Sequence, residues 1–453
     1  MTISARLLVG ALLSIPAPLV SQSTASPLAG VWVSDGYGNV FEIRDDTMRT
    51  FQVTTLSCLP SFTAKVVPAP PGALGAFRLL DAPVTFLVLR GSGPNQGRIH
   101  ANGAASDMIV RRVDRKPAVC DHDAPNTPHS NFDVFATTWS EHYPFFALKG
   151  ADWPAIVAAN RAKVTDSTTP DQLFQIFEGM ITPFHDAHTG ISAEKIAQRY
   201  SGSRRTAGWV EPANRDKAFA LVGAHLAGPL KPFCQGQLEF GMLGSDIGYL
   251  RIRGFGRYHP DGSFESGLTA LEAALDTVFA DAGHWRGFVI DVRINGGGAD
   301  PYGLAIAARL TDQAYIAYSK QARNDPADPT KWTAPQISTV KPSARPGFKG
   351  PVAELIGIQS VSAAETITQA LMPRKPKVIR VGEHTQGVFS DVLGRQLPNG
   401  WRFWLPNERF VTGDKTYDGP GIPADVEILS FTAEGLQSGR DAGVERAVAI
   451  LRR

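Results

Sequence analysis

The chain has 453 residues, 43% of them hydrophobic and 19% charged, with 45 Lys+Arg against 43 Asp+Glu and a formal net charge of +2. So even a balance, with no stripe of Lys and Arg, leaves no electrostatic footprint for a nucleic acid or an anionic membrane surface. No apolar run beyond the N-terminus approaches the roughly 20 residues of a bilayer-spanning helix, which argues against an integral membrane protein; the length fits two or three globular domains.

At the N-terminus Arg6 precedes an apolar stretch from Leu7 to Val20, followed by small residues from Ser21 to Ala25. This pattern predicts a cleaved secretory signal over residues 1–25 and a periplasmic or secreted mature protein. In such a compartment Cys58 and Cys120 are candidates for a disulfide that ties the first domain together, with Cys234 left over; three reduced thiols are the alternative. No cysteine spacing is of the zinc-binding type.

From residue 27 to 120, short runs such as Val31–Val33, Val40–Ile43, Thr85–Leu89 and Met108–Val110 alternate with Gly, Pro and Asp-Gly turns, the signature of a small all-β domain. Residues 121–130 hold two prolines and no apolar period, and read as a linker. Residues 130–245 open as a helical lobe. Phe132, Phe135, Ala136 and Trp139 recur at helical spacing, and a second helix is announced by Thr169 as N-cap and Pro170 at the first helical position. Its apolar face is Leu173, Ile176, Phe177, Met180 and Ile181, and it runs into His185-Asp-Ala-His188-Thr-Gly190, read as a turn.

Residues 246–453 have a βα rhythm and read as an α/β layer structure: strands at 247–253, 287–293 and 352–358, helices at 263–280, 302–310 and 363–372, and a closing helix at 441–451. Leu397 to Leu405 carries an Asn-Gly hairpin signal.

Two loops in this region can carry chemistry. Ser362 stands where a strand gives way to a helix, so the unpaired N–H groups of the first helical turn are near it; it is either a nucleophile beside an oxyanion site or an N-cap with Glu365 completing a capping box. Asn295-Gly296-Gly297-Gly298 is either a plain strand-to-helix connection or a loop that turns backbone N–H groups toward an anion, and it matches neither a Walker A loop nor a GxGxxG fingerprint.

The ordered set Ile247–Ile252, Val289-Ile-Asp-Val-Arg-Ile-Asn-Gly-Gly-Gly298, Ser360-Val-Ser-Ala-Ala-Glu365, Val381-Gly-Glu-His-Thr385 and Gly421-Ile-Pro-Ala-Asp425 resembles tail-specific (C-terminal processing) serine peptidases. The segment His185–Thr189, with Trp153 upstream, resembles the helical region in the branch related to tricorn protease and the interphotoreceptor retinoid-binding protein. The resemblance implies an α/β, ClpP/crotonase-like core with a helical N-terminal lobe, preceded here by the separate all-β domain. It also implies Ser362 as nucleophile, and an oxyanion hole formed by Ala363 with a glycine of the loop, Gly297 or Gly296. Where the processing peptidases carry a lysine base this chain has Val388, so the resemblance points instead to His188 as base and to Asp418, three residues before Gly421-Ile422, as the carboxylate that orients it. Asp418 stands where glutamate is usual.

The chemistry agrees: a serine needs a base that titrates near neutrality, and imidazole is the natural one. A histidine satisfied inside the helical lobe is the other reading of His188, and a metal pair with His185 a third, which lacks a third ligand. Gly190 to Ile247 is too short for an inserted PDZ domain of on the order of 90 residues. The sequence therefore predicts an exported serine peptidase with peptide or protein substrates, no cofactor and no metal; the alternative is an inactive binding protein for apolar ligands or peptides on the same scaffold.

Overall fold

Val31-Trp32-Val33 and its neighbours alternate inward and outward side chains, and the computed structural model, which describes residues 27–205 and 209–453, closes these strands on themselves. Eight antiparallel strands, from Gly30–Ser34 to Met108–Val113, pair each with the next, and the last pairs with the first through Val31 and Val113. Closure leaves no open edge. Trp32, Phe41, Met48, Phe77, Val88, Ile99 and Val110 fill the interior. The expected signal segment lies outside the described residues. Cys58, at the start of the strand Cys58–Val67, is bonded to Cys120 in the short turn Ala118–Asp121, so the chain's exit from the barrel is stapled to its wall.

The expected linker is shorter than residues 121–130. Thr127 accepts the Ser130 N–H, Pro128 occupies the first turn, and the helix Pro128–His142 begins there. Its stripe of Phe132, Phe135, Ala136 and Trp139 is buried as predicted, against Leu173, Phe174, Phe177, Met180 and Ile181 of the helix Pro170–Ile181. That second helix carries the Thr169/Gln172 capping box. Gly190 does not close a turn, as the sequence suggested, but starts the strand Gly190–Ala193.

That strand pairs with Arg402–Pro406, which pairs in turn with Val392–Gln396, so the Asn-Gly hairpin leaves the α/β core and completes the helical lobe. Trp401, Phe403 and Leu405 are buried among the lobe's aromatic side chains.

The core is a seven-stranded sheet in the order Lys231–Phe233, Leu238–Leu243, Ile247–Ile252, Gly287–Asp291, Val352–Ile356, Ile379–Gly382, Val426–Glu427. It therefore starts upstream of residue 246. Leu238–Leu243 runs antiparallel to both of its neighbours, and the five strands from Ile247–Ile252 onward run parallel to one another. Gly287–Asp291 and Val352–Ile356 are buried on both faces, which is why they read as unbroken apolar runs. Helices Phe264–Phe279, Asp300–Ala308 and Ala363–Leu371 belong to one core cluster, and Ala442–Leu451 joins a separate one. Beyond the central strands the chain continues as a short parallel pair, Ile294–Asn295 with Gln359–Ser360. Both candidate loops leave from this pair, at the carboxyl end of the sheet where α/β folds place their sites.

Arg293, which follows the central strand Gly287–Asp291, is fully enclosed. Its guanidinium binds Asp291 at 2.5 Å and Asp441 at 2.7 Å, and Asp441 also caps the final helix through the Val444 N–H. Burial works against all of these charges, but their attraction outweighs it: Asp291 is held below the usual carboxylate range and Arg293 well above its own ordinary value.

Two outcomes are expected. The Cys58→Ser/Cys120→Ser protein loses about 4 kcal/mol of stability, the loop-closure value for a bond of this span, and an unchanged urea midpoint for the barrel's unfolding contradicts this. Arg293→Met leaves two buried carboxylates unpaired and lowers the urea-unfolding free energy by about 3–5 kcal/mol; a loss below about 1 kcal/mol would mean that the pair is dispensable.

Candidate active site

After Gln359–Ser360 the chain turns sharply, and Ser362 takes φ 59 and ψ −120, a conformation that costs a non-glycine residue about 1–3 kcal/mol. The surroundings hold it there. The Ser362 N–H lies 3.1 Å from the Val388 carbonyl and 3.2 Å from Glu365 Oε2, and the Ser362 carbonyl accepts from the N–H groups of Glu365 at 2.7 Å and Thr366 at 3.0 Å. This serine begins the helix Ala363–Leu371 but is held by its backbone. Strain at a solitary, polar turn residue is characteristic of functional sites.

Gly297 approaches Ser362 so closely that an added Cβ would lie 2.5 Å from the Ser362 Cβ and 3.0 Å from its Oγ, and its φ of 89 favours glycine as well. The Gly297 N–H donates to Asn295 Oδ1 at 2.8 Å. Among the described residues the N–H groups of Ala363 and Gly296 have no hydrogen-bond partner, so these two remain open to an oxyanion.

Glu365 does more than the capping box suggested. It is fully buried, and its carboxylate accepts from the N–H groups of Gly387 at 2.6 Å and Val388 at 2.9 Å as well as from Ser362. Burial pushes its carboxyl up to about 7, against the pull of these donors and the Thr385 side chain.

His188 is buried, and its Nδ1 has no hydrogen-bond partner among the described residues. Its backbone N–H donates to Asp186 Oδ1 at 2.9 Å, and Tyr143 donates to the other oxygen of Asp186 at 3.3 Å. Burial lowers the imidazole pKa below the ordinary histidine value, while Asp186, Asp391 and the Ser390 backbone act in the opposite direction. His185 is exposed, so the two histidines face different surroundings, and the described residues contain no group of three or more His, Cys, Asp or Glu able to hold a metal ion.

Asp418 is also buried. It accepts from Thr416 Oγ1 at 2.7 Å and, at longer range, from the N–H groups of Phe389 at 3.4 Å and Phe410 at 3.5 Å. Burial pushes its carboxyl up to about 7, and the charge of Asp186 adds to the shift. Among the described residues no hydrogen bond links the His188 side chain to Asp418 or to Ser362. Each of the three touches one stretch of backbone: the Val388 carbonyl accepts the Ser362 N–H, the Phe389 N–H donates to Asp418, and the Ser390 backbone meets the His188 ring.

The Val388 side chain is buried and apolar, as its identity required. A buried lysine does exist, Lys320, which the sequence did not single out. Although burial works against its charge, Asp391 and Glu408 hold it well above the ordinary lysine value, so it is a poor proton acceptor. Asp186, Tyr143 and Glu365 complete the surroundings that sequence reading had not assigned to the site. The segment His185–Thr189 was the signal for the first of these, but only its His188 was taken from it as a site residue, with a His185–His188 metal pair as an alternative.

A cavity of about 450 Å³ opens beside the turn, with Gly296 and Val361 in its wall.

Residues 246–428 match the profile of peptidase family S41. Among solved structures, a predicted peptidase from Parabacteroides merdae is 24% identical over 73% of this chain and 98% of its own, with a TM-score of 0.61. Mature CPAF is 12% identical over 72% of this chain and 96% of its own, with a TM-score of 0.52. No curated protein matches. Both structures share the fold along most of the chain, the strand-turn-helix that carries Ser362 lies inside the segment that matches peptidase family S41, and the chain is a serine-type peptidase.

Proposed function

We propose that this chain is an exported peptidase that cleaves peptide bonds through an acyl-enzyme on Ser362, with His188 as general base. The observation that carries the proposal is the strained Ser362 turn, with Gly297 packed directly on the serine and an unbonded Ala363 N–H next in the chain. His188 takes the Oγ proton as Oγ attacks the carbonyl, and the oxyanion is received by the N–H groups of Ala363 and Gly296. Collapse expels the amine, which His188 protonates, and water then repeats the sequence to release the acid. Asp418 supplies the negative charge that steadies the imidazolium. Export is supported by the signal-like N-terminus and by the Cys58–Cys120 bond, which persists in oxidising compartments. Among the described residues no helix is long and apolar enough to cross a membrane.

Ser362→Ala and His188→Ala are each expected to lower kcat/KM on a cleaved peptide by about a thousandfold or more, and a loss below tenfold in either would end the proposal. Gly297→Ala puts a methyl group onto Ser362, and a fall of about a hundredfold is expected from the displaced nucleophile.

The pH dependence has a definite sign. His188 must be neutral to act, and burial keeps it neutral below the ordinary histidine value of about 6.5. Asp418 carries charge only above about 7. In the wild type kcat/KM therefore falls as pH drops through about 7. In Asp418→Asn the rate is lower throughout and the limb near 7 becomes shallower, because of the two carboxyls that titrate there only Glu365 is left. An unchanged rate with an unchanged limb in Asp418→Asn would remove Asp418 from the mechanism.

A further inference from the structure

We infer that the cavity beside Ser362 is the specificity pocket of this peptidase and that it takes a carboxylate; this rests on Ser362 being the nucleophile. The cavity begins at Gly296 and Val361, which flank the Ser362–Gly297 contact, so a group seated in it belongs to a residue next to the scissile bond. Its volume, about 450 Å³, is within the range of small ligand pockets.

The charges in its wall all have one sign. Arg215 and Arg253 line it, and no acidic side chain does. The acid in reach, Glu239, is already held by Arg251 at 2.7 Å and lies 3.9 Å from Arg253. Arg215 makes no ion pair among the described residues. The Arg253 guanidinium lies over the Phe219 ring, 4.5 Å from its centre, which fixes its plane and leaves its edge available for a planar anion. Trp209 and Phe219 add apolar ring surface to the same wall. Two guanidinium groups, both donors only, match a carboxylate and leave a cationic side chain unmatched. Two sources offer that group: an Asp or Glu side chain flanking the cleaved bond, or the free C-terminus of the substrate.

The test is a set of peptides read by mass spectrometry, identical except for Glu, Gln, Lys or Leu at one position flanking the cleavage site, each made with a free and an amidated C-terminus. The wild type is expected to cleave the Glu peptide at least about tenfold faster in kcat/KM than its Gln isostere, or the free-acid peptide at least about tenfold faster than the amide. The first result identifies a side-chain carboxylate and the second a terminal one. In Arg215→Ala/Arg253→Ala the preferred ratio falls to near one, and because it is a ratio within one preparation, loss of folded protein cancels. In Arg215→Glu/Arg253→Glu the preference inverts toward Lys. Cleavage by the wild type with both ratios near one would overturn the pocket and leave Ser362 standing. Ratios that survive in both double variants would overturn it too. Absence of cleavage together with absence of Ser362 labelling by a fluorophosphonate would overturn the peptidase mechanism itself.

Discussion

The site is organised by one buried carboxylate. Glu365 sits in the first turn of the helix Ala363–Leu371, and its two oxygens gather the N–H groups of Ser362, Gly387 and Val388 from two separate segments of chain. Hydrogen bonds contribute about 1 kcal/mol each and more when the acceptor is ionised, so together they match the about 1–3 kcal/mol that the serine's backbone conformation costs. The same bonds fix the height of the stretch from Gly387 to Ser390. Because that stretch also touches Asp418 and the His188 ring, Glu365 sets the spacing of groups that it does not itself contact.

The second constraint is topological. The hairpin made by Val392–Gln396 and Arg402–Pro406 departs from the α/β core directly after Ser390 and is built into the sheet that begins at Gly190, two residues beyond His188. The helical lobe is therefore unfinished until the C-terminal part of the chain arrives. The β-barrel is fastened to the same region, through Tyr37 bonded to Glu408 at 2.6 Å and through Gln52 and the Gln396 backbone at 2.8 Å. All three parts of the molecule thus converge near the segment that follows Val388.

Local signals were legible in the sequence. Thr169 and Pro170 announced a helix because capping chemistry depends on a few consecutive residues, and the strand around Val289 was readable because burial on both faces leaves an unbroken apolar run. Ser362 could be placed at a strand-to-helix turn for the same reason. The hairpin's destination was hidden: Trp401 and Phe403 look the same whether they pack on the core or on the helical lobe, and only long-range packing decides between the two. The fate of the Gly297 N–H was hidden as well, because it turns on which way the Asn295 amide points. The environment of His188 needed coordinates, since Asp391 and Ser390 lie far from it in the chain and meet it only across the lobe boundary.

The central claim is that a covalent acyl-enzyme forms on Ser362. The most direct measurement is acid quenching during turnover of a peptide ester, followed by intact-mass analysis and peptide mapping. The account predicts a mass increase equal to the acyl group on the peptide that contains Ser362, absent from Ser362→Ala. Turnover with no adduct in either protein, or an adduct on a different residue, would contradict it.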